Sequence, residues 1–289
     1  MKNYLFILWS VILGLFFWTS YSSAAGTDNL KKESELLPRW ELGAMGLGAY
    51  LPHYPGSDEY YGYAFPLPYF VYRGEVLRAN REGLRTIFFR GGGFESSVSF
   101  FGNPPVPDDN KARQGMGGLD AIGEVGPALR YYFYEYGERD DIYLQANFRG
   151  AVSANFDDFI DLTYRGLRGE LSLIFQNDKI LEAINSRIHL SGGVSFSDER
   201  LNDYYYEVPA EAATETRSEY DAGAGYSGLN ISASLVTEFT DDFWVGGYCR
   251  LNNYSGAVFA DSPLVKDENN WVLGVMVIWV LTRSDELVR

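Results

Sequence analysis

Along several stretches of this chain every second residue is apolar and its neighbours are polar or charged. That two-residue rhythm narrows the possible folds more than anything else in the sequence. Within 228–239, Leu229, Ile231, Ala233, Leu235 and Phe239 fall on one face of an extended strand. Asn230, Ser232, Ser234 and Glu238 fall on the other. Within 141–151, Ile142, Leu144, Ala146 and Phe148 alternate with Tyr143, Gln145, Asn147 and Arg149. Within 187–197, Ile188, Leu190, Val194 and Phe196 oppose Arg187, His189, Ser191, Ser195 and Ser197. A soluble sandwich also alternates, so the polar set decides. Arg, Glu, Gln and Asn at successive positions of one face are costly in a dry core, and they suit a wet lumen whose outer wall meets lipid.

The pattern therefore predicts an all-β chain: a transmembrane antiparallel up-and-down β-barrel of about 12 strands, with 10 as the alternative. The expected strands are 39–50, 63–73, 75–81, 84–91, 94–102, 122–135, 140–153, 159–176, 187–198, 228–239, 242–255 and 270–281. Within 159–176 the apolar set changes phase after Ile160, Leu162 and Tyr164 to Leu167, Leu171, Leu173 and Phe175, which places a β-bulge at 164–167. Of the connections on one parity (51–62, 82–83, 103–121, 154–158, 199–227, 256–269) most are long; nearly all long ones fall there and the short ones on the other parity. Outer-membrane barrels share this asymmetry, with long outer loops and tight periplasmic turns. The longest connection of the short set, 177–186, reads as a helical turn or two.

The N-terminus supports export. Lys2, an apolar run over 4–18 and the small residues Ser23, Ala24 and Ala25 have the layout of a secretory signal cleaved before Gly26. The expected organisation is a signal peptide at 1–25, a periplasmic segment at 26–38, a barrel at 39–281 and a tail at 282–289. Barrels of this kind usually finish on an aromatic residue, whereas this chain continues past Trp279. Cys249 is the single cysteine, which excludes an internal disulfide. No later stretch approaches the 18 or so apolar residues of a spanning helix. Aromatic residues make up 16% of the chain and glycines number 31, as strands between aromatic girdles require.

A formal charge of −15 argues against nucleic acid as a partner. Acidic residues gather in the expected outer loops, among them Asp58, Glu59, Asp108, Asp109, Asp157, Asp158, Asp221, Asp267 and Glu268. They are a solvated surface first, and they are compatible with divalent cations bridging to lipopolysaccharide. Outer-membrane lipid and lipopolysaccharide are thus the expected surroundings.

Catalytic signals are thin. Two histidines exclude most His-based metal sites, and no cofactor motif is present. His189 and Ser191 share a strand face, the spacing of a base and nucleophile in some outer-membrane lipases. They share it with Arg187 and Ser195, on the lumen side and away from lipid, so they read as lumen lining. Doublets such as Asp140-Asp141 and Asp241-Asp242 point to opposite faces and serve turns rather than acid–base chemistry.

Three segments together resemble the MipA/OmpV family of outer-membrane proteins. The first holds Tyr54, Pro55, Gly56, Ser57 and Asp58, followed by Pro66 and Pro68. The second holds Tyr205, Tyr206, Val208 and Pro209, then Tyr220, Asp221, Gly223 and Gly225. The third holds Asp261, Ser262 and Pro263, followed by Trp271 and an apolar closing strand. The resemblance implies a monomeric barrel in the bacterial outer membrane without catalytic residues. It also implies a scaffold role, holding a murein lytic transglycosylase near a murein synthase. Because the motifs fall in outer loops, their Pro and Gly residues are expected to fold those loops inward as a lid. The alternative function is a narrow channel or small-solute pore lined by Arg149, Arg187, His189, Glu238 and Arg250.

Overall fold

The computed structural model describes residues 37–73, 78–80, 83–84, 87–133, 140–155, 161–181 and 185–288. The expected signal peptide lies outside them, as do Asp157 and Asp158. Among the described residues no helix is long and apolar enough to cross a membrane, which says nothing of strands.

The chain is an antiparallel meander. Its strands are β1 (Leu37–Pro38), β2 (Trp40–Pro52), β3 (Tyr60–Arg73), β4 (Arg78–Asn80), β5 (Gly83–Leu84), β6 (Ile87–Gly91), β7 (Phe94–Asn103) and β8 (Ala121–Tyr132). They continue as β9 (Asp140–Asn155), β10 (Asp161–Leu181), β11 (Ser186–Ser197), β12 (Gly225–Glu238), β13 (Phe243–Asn253), β14 (Asn269–Arg283) and β15 (Leu287–Val288). One sheet of 13 strands runs β5-β4-β3-β2-β14-β13-β12-β11-β10-β9-β8-β7-β6. The first long strand therefore pairs with the last, Gly46 opposite Val277 and Tyr50 opposite Leu273. The sheet's two ends, β5 and β6, are consecutive in the chain.

Ten strands of this sheet have 10 residues or more, so the alternative count holds and the expectation of twelve is corrected. Among the described residues, the segments 75–81 and 84–91 contribute the short β4, β5 and β6. In sequence, charges fall on both parities of this stretch, Glu75, Arg81 and Arg85 on one and Arg78 and Glu82 on the other, so it offers no uncharged face for lipid. The helical turn expected at 177–186 is also corrected. Strand β10 continues to Leu181, which pairs with Ser186, because cross-strand partners override a local helical preference. The expected bulge is present: register with β9 shifts between Tyr164 and Gly166.

Exposure along the strands is inverted relative to a soluble protein. On β12, Leu229, Ile231 and Leu235 are 47%, 66% and 41% exposed, while Asn230, Ser232 and Ser234 are 5%, 8% and 6% exposed. In water such a surface would forfeit about 1.5–3 kcal/mol per large apolar side chain left unburied; against hydrocarbon it forfeits nothing. Exposed aromatic residues flank the apolar band at both ends. Phe94, Tyr131, Phe239, Phe243 and Trp279 stand at the short-turn end, and Tyr50, Tyr164, Phe196 and Trp271 at the long-loop end.

The inner face has two chemistries. Strands β7 to β13 line it mainly with polar residues, whereas β2, β3 and β14 line it with apolar ones. There Met45, Tyr69, Val71, Ile278 and Val280 form a buried cluster with Trp244 of β13. The polar inner face expected from the alternation is thus found mainly on β7 to β13.

At the short-turn end β1 pairs with β15, Leu37 opposite Val288 and Pro38 opposite Leu287. Arg39 and Glu286 add an ion pair at 2.6 Å. The tail expected at 282–289 is thereby tied back to the segment before the first long strand.

Candidate functional site: a charged layer under a closed cap

The polar half of the interior is organised around one ring. Phe101 on β7 stands among three guanidinium groups, those of Arg149, Arg168 and Arg250, at 5.4, 5.7 and 5.8 Å from its centroid. Arg149 pairs with Glu124 at 3.3 Å and Glu170 at 2.7 Å, Arg168 with Glu124 at 3.0 Å, and Arg250 with Glu170 at 3.6 Å. Glu124 on β8 thus joins Arg149 on β9 to Arg168 on β10, and Glu170 on β10 joins Arg149 to Arg250 on β13. Charges removed from water hold together only with such multiple partners, because each alone would carry a desolvation cost of several kcal/mol. Glu124 and Glu170 are fixed by the inward parity of β8 and β10.

Nearer the short turns, a second set joins Arg130 to Glu95 at 3.1 Å and to Gln145 at 2.7 Å, with Gln145 donating to Asn147. Arg187 pairs with Glu238 at 2.7 Å, next to Trp244. Of the expected lumen residues, Arg149 and Arg250 meet in the layer around Phe101, and Arg187 and Glu238 meet each other. His189 is buried on the same face of β11. Ser191 Oγ is hydrogen-bonded to Ser232 Oγ at 2.7 Å, across the β11–β12 pair.

Above the charged layer, four connections close over the interior: 53–59, 104–120, 198–224 and 254–268. The third contains helix α1 (Glu199–Tyr206), which sequence reasoning missed within its expected loop. Asp198 caps α1 by accepting from Leu201 N at 3.0 Å. Leu201 and Tyr205, four apart, turn inward to a buried cluster with Tyr54, Val106, Leu119, Ile122, Tyr206, Tyr254 and Phe259. Tyr206 and Phe259 stack at 3.8 Å with 14° between their planes.

The three family-like segments converge in this cap. Tyr54 Oη donates to Leu264 O at 2.7 Å, and Ser262 Oγ donates to Tyr206 O at 2.8 Å. Gly56, at φ 92°, donates to Asn270 Oδ1 at 2.5 Å and accepts from Lys266 N and Asp267 N at 2.7 and 3.0 Å. Asn270 Nδ2 returns a bond to Ser57 O at 3.0 Å. Val208 is fully buried and bridges to Tyr220. Pro55, Pro209, Gly225 and Pro263 are half-buried, whereas Asp58, Asp221, Gly223 and Asp261 stay exposed. Most of these residues shape the lid, and the exposed four decorate it.

Two arginines outside the expected set lock the loops. Arg217 donates to Ala212 O, Ala112 O and Gln114 O at 2.7 to 3.2 Å. Arg113 donates to Tyr205 O at 3.1 Å, and burial lowers its pKa. Burial likewise pushes the phenols of Tyr54, Tyr205 and Tyr206 up, so these three stay protonated. His53 is held below its ordinary value by burial, and its Nδ1 meets Asn110 Nδ2 at 3.0 Å.

An open cleft of about 860 Å³ lies between the 104–120 connection and α1, lined by Arg113, Asp120, Arg165, Asp203 and Tyr204. Beside it the carboxylates of Glu199, Asp203 and Asp221 lie within 4.8 Å of one another, close enough to share a cation. Asp203 is pushed up to about 6, first by burial and then by Asp221, Glu207 and Glu199, against a hydrogen bond from Ala222 N. Among the described residues, two interior cavities hold about 100 Å³ beneath the cap and about 60 Å³ beside the charged layer.

Outer membrane protein OmpV of Vibrio cholerae serotype O1 is 26% identical over 243 residues, covering 83% of this chain and 84% of that protein. Outer membrane protein Omp26La of Vibrio anguillarum is 26% identical over 214 residues, covering 73% and 76%. Among solved structures, a bacterial polysaccharide outer membrane secretin overlaps 83% of this chain and 98% of its own at 10% identity and a TM-score of 0.33. The Pseudomonas putida toluene transporter TodX overlaps 89% and 73% at 8% identity and a TM-score of 0.27. Both scores are too low to establish a shared topology. The outer membrane is the location of this chain, and with residues 45–281 matching the family described as MltA-interacting protein MipA, it belongs to that family.

Proposed function

We propose that the sheet closes into a monomeric barrel whose interior does not conduct, and that the protein serves as a non-enzymatic scaffold in murein maintenance. The observation that carries this reading is the filled interior. A layer of three arginines and two glutamates around Phe101 lies beneath a cap cemented by four loops, and two cavities among the described residues there hold about 100 and 60 Å³. Narrow barrels are filled by their own side chains, and conduction needs a continuous water path. Closure is supported by the pairing of β2 with β14 and by the adjacency of β5 and β6 in the chain. The murein role is supported by the family's description and by the resemblance of the motif segments.

The partners proposed are a lytic transglycosylase and a murein synthase, met at the short-turn end, which faces the periplasm if the long loops face outward. Planar-bilayer recording of the purified protein tests the reading, coupled to affinity capture from envelope extracts. Electrical silence with capture of a murein enzyme supports the scaffold. A steady single-channel current would replace it with the pore, for which the lumen arginines would set selectivity.

A further inference from the structure

The cavity of about 100 Å³ beneath the cap carries a charge opposite in sign to that of the chain as a whole. Its described lining includes Arg168 on β10 and Arg250 on β13, and no Asp or Glu. Glu170 lines the smaller cavity instead, and Glu124 lines neither. In the layer around Phe101 three arginines share two glutamates, so among the described residues one positive charge there is uncompensated.

The two guanidinium groups are not saturated by their partners. Among the described residues Arg168 donates through Nε alone, to Glu124 at 3.0 Å. Its two terminal nitrogens, a fork that matches the two oxygens of a carboxylate, meet no acceptor there. Arg250 donates through Nε to Asn252 Oδ1 at 2.8 Å and stands 3.6 Å from Glu170. With its Oδ1 taken, Asn252 has N–H donors left for the cavity it lines, and Ser195 adds a hydroxyl. Under the closed cap the Arg168 and Arg250 side chains keep 15% and 19% exposure, and the cavity is the space they border. Another part of the lining is apolar: Leu51 and Pro52 on β2, Val272 on the adjoining β14, and Pro55 in the roof. A solute held there meets charge on one side and hydrocarbon on the other. One water needs about 10–15 Å³ and a dry cavity of about 150 Å³ admits benzene, so this space suits one small organic molecule.

We infer that this cavity is a binding site for a short-chain monocarboxylate. The carboxylate sits on the terminal nitrogens of Arg168, beside Arg250, and the hydrocarbon end lies against Leu51, Pro52 and Val272. One bound carboxylate brings the layer to three charges of each sign. A neutral solute would leave the excess guanidinium without a counter-charge in a poorly solvated interior. An inorganic oxyanion would satisfy the arginines and leave the apolar wall unused. The inference is independent of the murein role, because it uses the cap and the charged layer and no partner protein.

The test is isothermal titration of the full-length protein in detergent micelles with sodium butyrate, in buffer free of other carboxylates. Saturable binding is expected, with butyramide, the same shape without the charge, weaker by about tenfold or more. Sodium phosphate is expected to bind more weakly than butyrate. Arg168→Gln is expected to weaken butyrate by about tenfold or more. Ser195→Leu, which fills the cavity and keeps both arginines, is expected to abolish binding. Absence of butyrate binding, or equal binding of acid and amide, overturns the site. Phosphate bound as tightly as butyrate overturns the carboxylate assignment. Butyrate binding that survives both substitutions lies elsewhere and overturns the site as well. Where neither variant folds, a short carboxylate carrying a diazirine is crosslinked to the unaltered protein and its adducts are mapped by mass spectrometry. Adducts at 51–55, 101–104, 227–230 or 272 are expected, and adducts confined to other positions overturn the site.

Discussion

Arg149 is the residue on which the charged layer turns, since among the described residues it alone ion-pairs with both Glu124 and Glu170. Replacing it by alanine leaves Glu124 with Arg168 alone and Glu170 with the more distant Arg250. Breaking a buried pair from one side costs about 3–5 kcal/mol, so Arg149→Ala should lower the unfolding free energy in detergent by that order, read from denaturant titration. Asp203 makes the opposite case, a charge the fold tolerates poorly. Its carboxyl is raised from 3.8 to about 6, so folding favours the protonated form. The contribution is complete below about pH 4 and is lost as pH rises through about 6. Asp203→Asn keeps an acceptor for Ala222 N and removes the charge. The variant should therefore melt at a higher temperature than the parent at pH 7, and the two curves should converge by pH 4.

Among the elements, the strands with strict alternation were readable to within a few residues. The face assignments of Arg149 on β9 and Asn230 on β12 follow from parity alone. Arg168 and Glu170 were readable by the same rule once the phase change at Tyr164 was recognised, because Leu167 and Leu171 place them inward. What parity cannot supply is which arginine meets which glutamate, since that depends on strands far apart in sequence brought into register. Helix α1 escaped because eight residues give too short a window for a helical period, although Asp198 followed by Leu201 and Tyr205 is the local signal for it. Its join to β10 uses Gly166, at φ 116°, where an added Cβ would meet Asp198 Oδ1 at 2.1 Å. The cap's main tertiary anchor is the Tyr206–Phe259 stack. Phe259→Ala should cost about 3–5 kcal/mol of local stability. Limited proteolysis should then cut within 198–224 and 254–268 while the strands remain protected.

For the whole molecule, the two termini of the described chain meet through β1 and β15, while β2 and β14 pair side by side. A permutant that links 288 to 37 and opens at Thr240-Asp241 should give a barrel with unchanged heat-modifiability on gel electrophoresis, because the cut falls in an exposed turn. One opened at Phe259 should not. The pairing of β2 with β14 also sets the order of assembly. Every other long-strand neighbour of β2 is near in sequence, yet one border of that strand stays bare until more than two hundred later residues have followed it. Until then the nascent sheet carries two raw borders through an aqueous compartment, each able to recruit a stray strand. Delivery to the membrane is therefore a race between the arrival of the final hairpin and aggregation, and the permutant would hand the role of last-sewn join to a different pair.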